Sequence, residues 1–282
     1  MSDQLIGLRA ALSNFIDSDE TQSQSHIKLI HSHIAQRLVI EGGFDPDHIV
    51  PHPPFRIESA TNRRTAGNRL IYAPDVADGR ELTILGGLKT KAVDVVVTQR
   101  ITGPCVAISV KGTLNAFRNL TNRMEEAAGD CTNIHIAYPN LIYGFFHVLK
   151  ANRAEDVSKM NDVAIDATGK VVDSIIRYHD AMARLTGRRD VRNEVSRYEA
   201  VCLSLVDTQM GRRGEVLETF PLPESVIRFA RFFERLYEIY DLRYVYSAPA
   251  IRSSTERMEW AEDSPAFNLP GIEQFHPRIG AE

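Results

Sequence analysis

Two short stretches decide the fold, AVDVVVT at residues 92–98 and CVAISVK at residues 105–111. Both are rich in β-branched residues, which favours strands. Gly103 and Pro104 lie between them and indicate a turn, so the pair is predicted to form two adjacent antiparallel strands. Because side chains alternate along a strand, we expect one apolar face and an opposite face that carries Asp94, Ser109 and Lys111.

The pattern outside this hairpin predicts one α/β domain over residues 1–282, with a core at about residues 80–210 and helical additions at both ends. The helices are expected at residues 27–40, 114–128, 171–185 and 224–240. Further strands are expected at residues 141–149, for which a helix is the alternative, and at residues 198–206 and 244–246. Gly129 is interpreted as the end of the second helix.

Composition excludes several classes of protein. The chain is 43% hydrophobic and 25% charged, which is typical of a soluble globular protein and not of a collagen-like or disordered one. The longest mostly apolar run, residues 141–149, is far shorter than the roughly 18 residues of a membrane span. The N-terminus lacks the pattern of a signal peptide, and three scattered cysteines indicate reduced thiols, so we expect a cytoplasmic protein without membrane contact.

Charge is distributed unevenly along the chain. Residues 56–123 contain eleven Lys or Arg against five Asp or Glu, so this segment carries +6. The net charge is −4, so the remainder carries −10. This asymmetry suits a protein that offers one positive surface to a polyanion. A chance cluster of solvated arginines would give the same count.

The polar face of the hairpin suggests hydrolysis of a phosphodiester. That reaction uses a divalent cation to withdraw charge from the phosphate and to supply hydroxide. Mg²⁺ is usually bound by one or two carboxylates, and a lysine beside it can orient water and offset charge on the phosphate. Asp94 and Lys111 supply one carboxylate and the lysine. A salt bridge between the two is the plain structural alternative.

The hairpin resembles the active-site core of the PD-(D/E)xK nucleases, the superfamily of most Type II restriction endonucleases. In that core an Asp lies on one strand and an acid-x-Lys motif on the next, where this chain has Ser109, Val110 and Lys111. Restriction enzymes that recognise CCGG-containing sites have a similar Ser-Val-Lys, with a displaced glutamate after thirteen further residues. Here that spacing leads to Glu125, and the resemblance covers about 45 residues, from Glu81 to Glu125.

The resemblance implies a restriction-endonuclease-like mixed central sheet flanked by helices. It also implies Mg²⁺ held by Asp94 and Glu125, Lys111 at the attacking water, and Glu81 as an additional acid. Glu126 is the alternative metal ligand to Glu125. If Glu125 is only a surface acid of the helix, it is expected to pair with a nearby arginine. The expected substrate is double-stranded DNA, cut by a homodimer because each subunit has one site.

Basic and amide side chains near the hairpin are candidates for DNA contacts. They are Lys89, Lys91, Arg118, Asn119, Asn122 and Arg123. Two other functions stay open at this point. One is a DNA-binding protein on the same fold whose metal site has decayed, and the other is a less specific repair or defence nuclease.

Overall fold

The computed structural model describes residues 4–18, 24–59 and 68–280. The strands in this part of the chain are β1 (Ile49–Val50), β2 (Phe55–Ser59), β3 (Asn68–Tyr72), β4 (Leu82–Leu85), β5 (Thr90–Val93), β6 (Val95–Gln99), β7 (Gly103–Thr113), β8 (Ile142–Lys150) and β9 (Ala200–Val206). The α-helices are α1 (Leu8–Asp17), α2 (Lys28–Ile40), α3 (Leu120–Ala137), α4 (Asp173–Arg184), α5 (Phe229–Tyr240) and α6 (Arg252–Thr255).

A mixed sheet of five strands forms the centre of the molecule, in the order β1-β6-β7-β8-β9. The β6 and β7 strands are antiparallel, with Val95 opposite Ile108, as the sequence predicts. The turn predicted at Gly103 and Pro104 is wrong, because both residues pair with β6 as the first residues of β7 and the chain turns at residues 100–102. The β7, β8 and β9 strands are parallel, and Lys111 is opposite His147. Two small hairpins, β2-β3 and β4-β5, lie outside this sheet. The α/β class and the mixed central sheet flanked by helices are therefore confirmed.

Helices cover both faces of the sheet. On one face, Ile34 of α2 and Phe232 of α5 join a core that includes Val95 and Ile108. On the other face, Ile134 of α3 and Tyr178 of α4 join a second core. Because helices pack on both faces of the sheet, every residue of β9 is buried, as is usual for parallel strands.

The prediction of one apolar and one polar face for the hairpin is wrong in one respect. Val95 and Val97 lie in the first core, but Val93 lies in the second with Val96. The alternation shifts at Asp94, which separates β5, paired with β4, from β6, paired with β7. Both faces of the hairpin are consequently buried, and Asp94 lies at a break between two strands.

The second predicted helix begins later and ends later than expected. It begins at Leu120, because the preceding chain turns at Ala116, where φ is 60°. It also continues through Gly129 to Ala137. A glycine inside a helix costs about 1 kcal/mol relative to alanine, and burial of the following turns, including Ile134, offsets this cost.

Two C-terminal predictions also need correction. The strand expected at residues 244–246 is part of a π-helical turn, Asp241–Tyr246, that continues α5. Tyr244 is buried in this turn and stacks on Tyr240 of α5, whereas Tyr246 is exposed. The α5 helix itself begins at Phe229 rather than at residue 224. Within the described ranges, no helix has both the length and the apolar character needed to cross a membrane.

Candidate metal centre

Asp94 is buried at the junction of β5 and β6, with 7% of its surface exposed. Its Oδ2 accepts a hydrogen bond from the backbone N–H of Val110 at 2.7 Å and one from Oγ of Ser109 at 3.3 Å. Burial raises the pKa of Asp94, and the Val110 N–H and the charge of Lys111 act in the opposite direction. One carboxylate oxygen is thus fixed by β7, and the other, Oδ1, points toward α2.

His31 of α2 lies on the far side of this carboxylate. Its Nε2 is 3.7 Å from Oδ1 of Asp94, too far for a hydrogen bond, and has no hydrogen-bond partner among the described residues. Burial lowers the pKa of His31 to about 4, and the charge of Glu81 acts in the opposite direction. The imidazole is therefore neutral at pH 7, and its approach to Asp94 is not an ion pair.

Glu81 completes the group from the solvent side. It is exposed, directly before β4, and offers a carboxylate oxygen to the same space. The ligand atoms of His31, Glu81 and Asp94 all lie within 4.8 Å of one another. Two atoms bound to one ion at about 2.1 Å are separated by about 3 to 4.2 Å, so a small movement of Glu81 would suffice. In the described part of the chain, no other three His, Cys, Asp or Glu side chains converge in this way.

Lys111 lies at the carboxyl end of β7, on the face covered by α3. Its Nζ is 3.6 Å from Oε1 of Glu126, which also pairs with Arg123 at 3.8 Å. A direct salt bridge between Lys111 and Asp94 does not occur among the described ion pairs. The positive charge of Lys111 nevertheless acts on the pKa of Asp94, so the ammonium group contributes to the electrostatics of the site.

Glu125, the predicted second metal ligand, is exposed on α3 and lies outside the group formed by His31, Glu81 and Asp94. Its role as a ligand stays a prediction. The structure brings its neighbour Glu126, the alternative, to Lys111. Of the acids predicted from the sequence, Glu81 is the one that joins Asp94.

The two candidate lysines for DNA contact differ in the structure. Lys91 forms a close ion pair with the buried Asp130 of α3 and is only 17% exposed. Lys89 lies 3.8 Å from the same carboxylate but is 67% exposed. Asn133 of α3 also accepts hydrogen bonds from the backbone at Leu88 and Lys89. Lys91 therefore helps to hold the β4-β5 hairpin against α3, and Lys89 remains accessible to a ligand.

The other candidate DNA contacts cluster at the start of α3. Arg118, Asn119, Asn122 and Arg123 are all exposed there. This end of the helix also carries Glu126, the partner of Lys111. The exposed arginine and asparagine side chains and the lysine of the candidate site therefore lie in one region of the molecule.

The sequence does not single out His31 as a member of the group formed with Glu81 and Asp94. Ile30 and Ile34 beside it mark the core side of α2, so a histidine there is expected to be an ordinary buried residue. It lies sixty-three positions before Asp94 in the chain, and the two meet only because α2 packs across the sheet. The one signal in the sequence is a histidine beside the aliphatic residues on the core side of α2. Such a histidine is too common to identify a metal ligand.

No protein-family model and no curated protein matches this chain. The donor atoms of the site therefore indicate what it binds. These are two carboxylates and a neutral, buried imidazole whose Nε2 has no hydrogen-bond partner among the described residues. Such a donor set fits a divalent cation.

Proposed function

We propose that this chain is a Mg²⁺-dependent endodeoxyribonuclease of the restriction type, which hydrolyses phosphodiester bonds in double-stranded DNA. The observation that carries the proposal is the convergence of Glu81 with Asp94 at the β5–β6 junction, beside β7, which carries Lys111. Two carboxylates and a lysine are the groups that metal-assisted phosphodiester hydrolysis needs. The resemblance to PD-(D/E)xK nucleases supports the same function.

Asp94 and Glu81 are the residues that would hold the cation. When bound, Mg²⁺ supplies charge neutralisation on the phosphate and lowers the pKa of a coordinated water. Ser109, which occupies the acid position of the motif, contributes a hydrogen bond to Asp94 instead of a carboxylate. Together with the Val110 N–H, it holds Asp94 in one orientation before any cation arrives.

Lys111 would orient the attacking water and offset negative charge on the phosphate as it develops. Its side chain is 31% exposed, so it can reach a substrate while its pairing with Glu126 limits its movement. Attack by water in line with the leaving 3′-oxygen gives 5′-phosphate and 3′-hydroxyl ends, as the resemblance implies. Only one such site is present per chain in the described residues, so cutting both strands calls for a homodimer.

The exposed end of α3 suits the approach of DNA. Arginine and lysine neutralise backbone phosphates, and arginine and asparagine can hydrogen-bond to guanine and adenine edges. Lys89, Arg118 and Arg123 provide the first kind of contact, and Asn119 and Asn122 the second. The positive charge of residues 56–123 would attract the duplex to this region.

The test is incubation of purified protein with plasmid and phage DNA and Mg²⁺, comparing wild type with Asp94→Asn and Lys111→Met. Asp75→Asn is the matched control, because Asp75 is an exposed acid of the same segment that pairs with Arg56. We expect defined fragments from wild type and control, and a loss of cleavage of at least about a thousandfold in the two site variants.

Cleavage that survives in both folded site variants would refute the proposal. Salt-sensitive DNA binding by wild type without cleavage at any Mg²⁺ concentration would identify a binding protein with a decayed site. Cleavage without a defined fragment pattern would instead indicate a repair or defence nuclease.

A further inference from the structure

We infer that His31 is a third protein ligand of this site and that it gives the site a preference for Mn²⁺ over Mg²⁺. The inference deepens the proposed function and rests on it for the use of the metal, but it concerns which cation the protein binds. It assigns a role to a buried imidazole that the catalytic roles of Asp94, Glu81 and Lys111 leave unexplained.

The first argument is the position of the imidazole. His31 is 4% exposed, and its Nε2 has no hydrogen-bond partner in the described part of the chain. A buried polar atom in that state is unfavourable unless something binds it. The atom faces Oδ1 of Asp94 at 3.7 Å, which is too long for a hydrogen bond but suitable for two ligands of one ion.

The second argument is that two of the three ligand atoms are held in place. Oδ2 of Asp94 accepts hydrogen bonds from Val110 and Ser109, so the direction of Oδ1 is fixed by β7. The backbone at His31 is fixed as well, because α2 is anchored in the core through Ile30 and Ile34. Only Glu81 comes from an exposed segment, where it can adjust its carboxylate to an arriving ion.

The third argument is the chemistry of the donor set. Mg²⁺ strongly prefers oxygen ligands and retains water rather than accept nitrogen. Mn²⁺ binds carboxylate oxygen and also accepts imidazole, and affinities for sites with nitrogen rise along the transition series. A site with two carboxylates alone would discriminate little between these ions. The imidazole is therefore the group expected to create the preference.

The experiment measures metal binding without DNA. Isothermal titration with MnCl₂ and with MgCl₂ gives the ratio of the two dissociation constants for wild type, His31→Gln and His33→Gln. The His33 variant is the matched control, because His33 is also buried on the same helix and its Nε2 likewise has no hydrogen-bond partner among the described residues, but it lies outside the group formed with Asp94 and Glu81. Circular dichroism establishes that each variant is folded.

We expect wild type to bind Mn²⁺ at least about tenfold more tightly than Mg²⁺. In His31→Gln the amide oxygen replaces the nitrogen, so the ratio should fall below about threefold, while His33→Gln keeps the wild-type ratio. A folded His31→Gln protein with an unchanged ratio would overturn the inference. If no His31 variant folds, pulsed electron paramagnetic resonance of Mn²⁺ on wild type decides, since an absent ¹⁴N coupling excludes imidazole as a ligand.

The results also separate this inference from the proposed nuclease function. Nitrogen-coupled Mn²⁺ on a protein that never cuts DNA would support the ligand role of His31 and refute the nuclease. DNA cleavage that depends on Asp94, together with an unchanged Mn²⁺ to Mg²⁺ ratio in His31→Gln, would support the nuclease and refute the inference.

Discussion

The ammonium group of Lys111 on β7 lies 3.6 Å from Oε1 of Glu126 on α3. Spacing along the chain points instead to Glu125, one residue earlier, as the acid that would serve the site. Adjacent residues on a helix point in directions about 100° apart, so the two acids cannot both face Lys111. The contact of Glu126 with Lys111 therefore gives the two glutamates different expected roles.

We expect Glu126→Gln to slow DNA cleavage about tenfold, because Lys111 loses the partner that limits its movement and a misplaced ammonium group stabilises the reacting phosphate less well. Glu125→Gln should change the rate less than about twofold. Single-turnover cleavage at saturating metal measures both. A larger loss in Glu125→Gln would show that the displaced glutamate predicted from the spacing acts after all.

Ser109 provides a second prediction, since its hydroxyl donates to Oδ2 of Asp94. In Ser109→Ala this oxygen keeps the Val110 N–H and loses one long hydrogen bond of 3.3 Å, worth about 1 kcal/mol. We expect the affinity for the divalent cation to fall about fivefold in calorimetric titration. Ser204→Ala is the control, a buried serine on β9 outside the metal group. Equal affinities for the cation in the two variants would show that Ser109 does not contribute to the site.

Local sequence is enough to predict the two strands and their antiparallel pairing, which place Asp94 before β6 and Lys111 near the end of the neighbouring β7. The β-branched residues are a short-range signal for two strands, and the structure forms both strands and their antiparallel pairing. The turn between them lies at residues 100–102, and Gly103 and Pro104 already belong to β7. The break at Asp94 was not predictable, because it depends on β5 leaving the main sheet to pair with β4.

The approach of His31 to Asp94 could not be predicted from the sequence either. His31 reaches Asp94 only through the packing of α2 across the sheet, and no spacing rule connects two residues that far apart. The helix end predicted at Gly129 is wrong because glycine weakens a helix only modestly, and the buried turns after it outweigh that cost.

Lys91 provides a third prediction, which separates a structural from a DNA-binding role. Its partner Asp130 is 4% exposed, so Lys91→Met leaves a buried carboxylate with only the more distant Lys89. We expect the free energy of unfolding to fall by about 3 kcal/mol, and the double variant Lys91→Met, Asp130→Asn to recover most of it. Urea denaturation measures both. A fully stable Lys91→Met protein with weakened DNA binding would show that this lysine contacts phosphate instead.

Glu199 lies fully buried directly before β9 and connects three parts of the chain. Its Oε1 is 2.6 Å from Nη1 of Arg188 and 2.7 Å from Nη2 of Arg243. Its Oε2 accepts a hydrogen bond from the backbone N–H of Tyr143. Burial alone would raise the pKa of Glu199. His135, Arg243 and the Tyr143 N–H outweigh burial, so the pKa lies below its ordinary value.

This lowered pKa predicts a dependence of stability on acid. The Glu199 carboxylate loses its charge at a lower pH in the folded protein than in the unfolded chain. Its contribution to the free energy of unfolding is therefore complete above the unfolded pKa of about 4.5 and is lost as the pH falls through the folded pKa. We expect Glu199→Gln to destabilise the protein by about 3 to 5 kcal/mol at pH 7, because it leaves buried arginines without their anion. The variant should also lose stability less steeply than wild type below pH of about 4.5.

Urea denaturation between pH 7 and pH of about 3.5 tests both parts of this expectation. Glu238→Gln is the control, since that acid is 56% exposed beside Arg235 and such a pair is worth less than about 1 kcal/mol. Equal pH slopes for wild type and Glu199→Gln would mean that other carboxylates carry the acid sensitivity. A stable Glu199→Gln protein at pH 7 would mean that the arginines find water or backbone carbonyls instead, as Arg188 already does in part at Pro139.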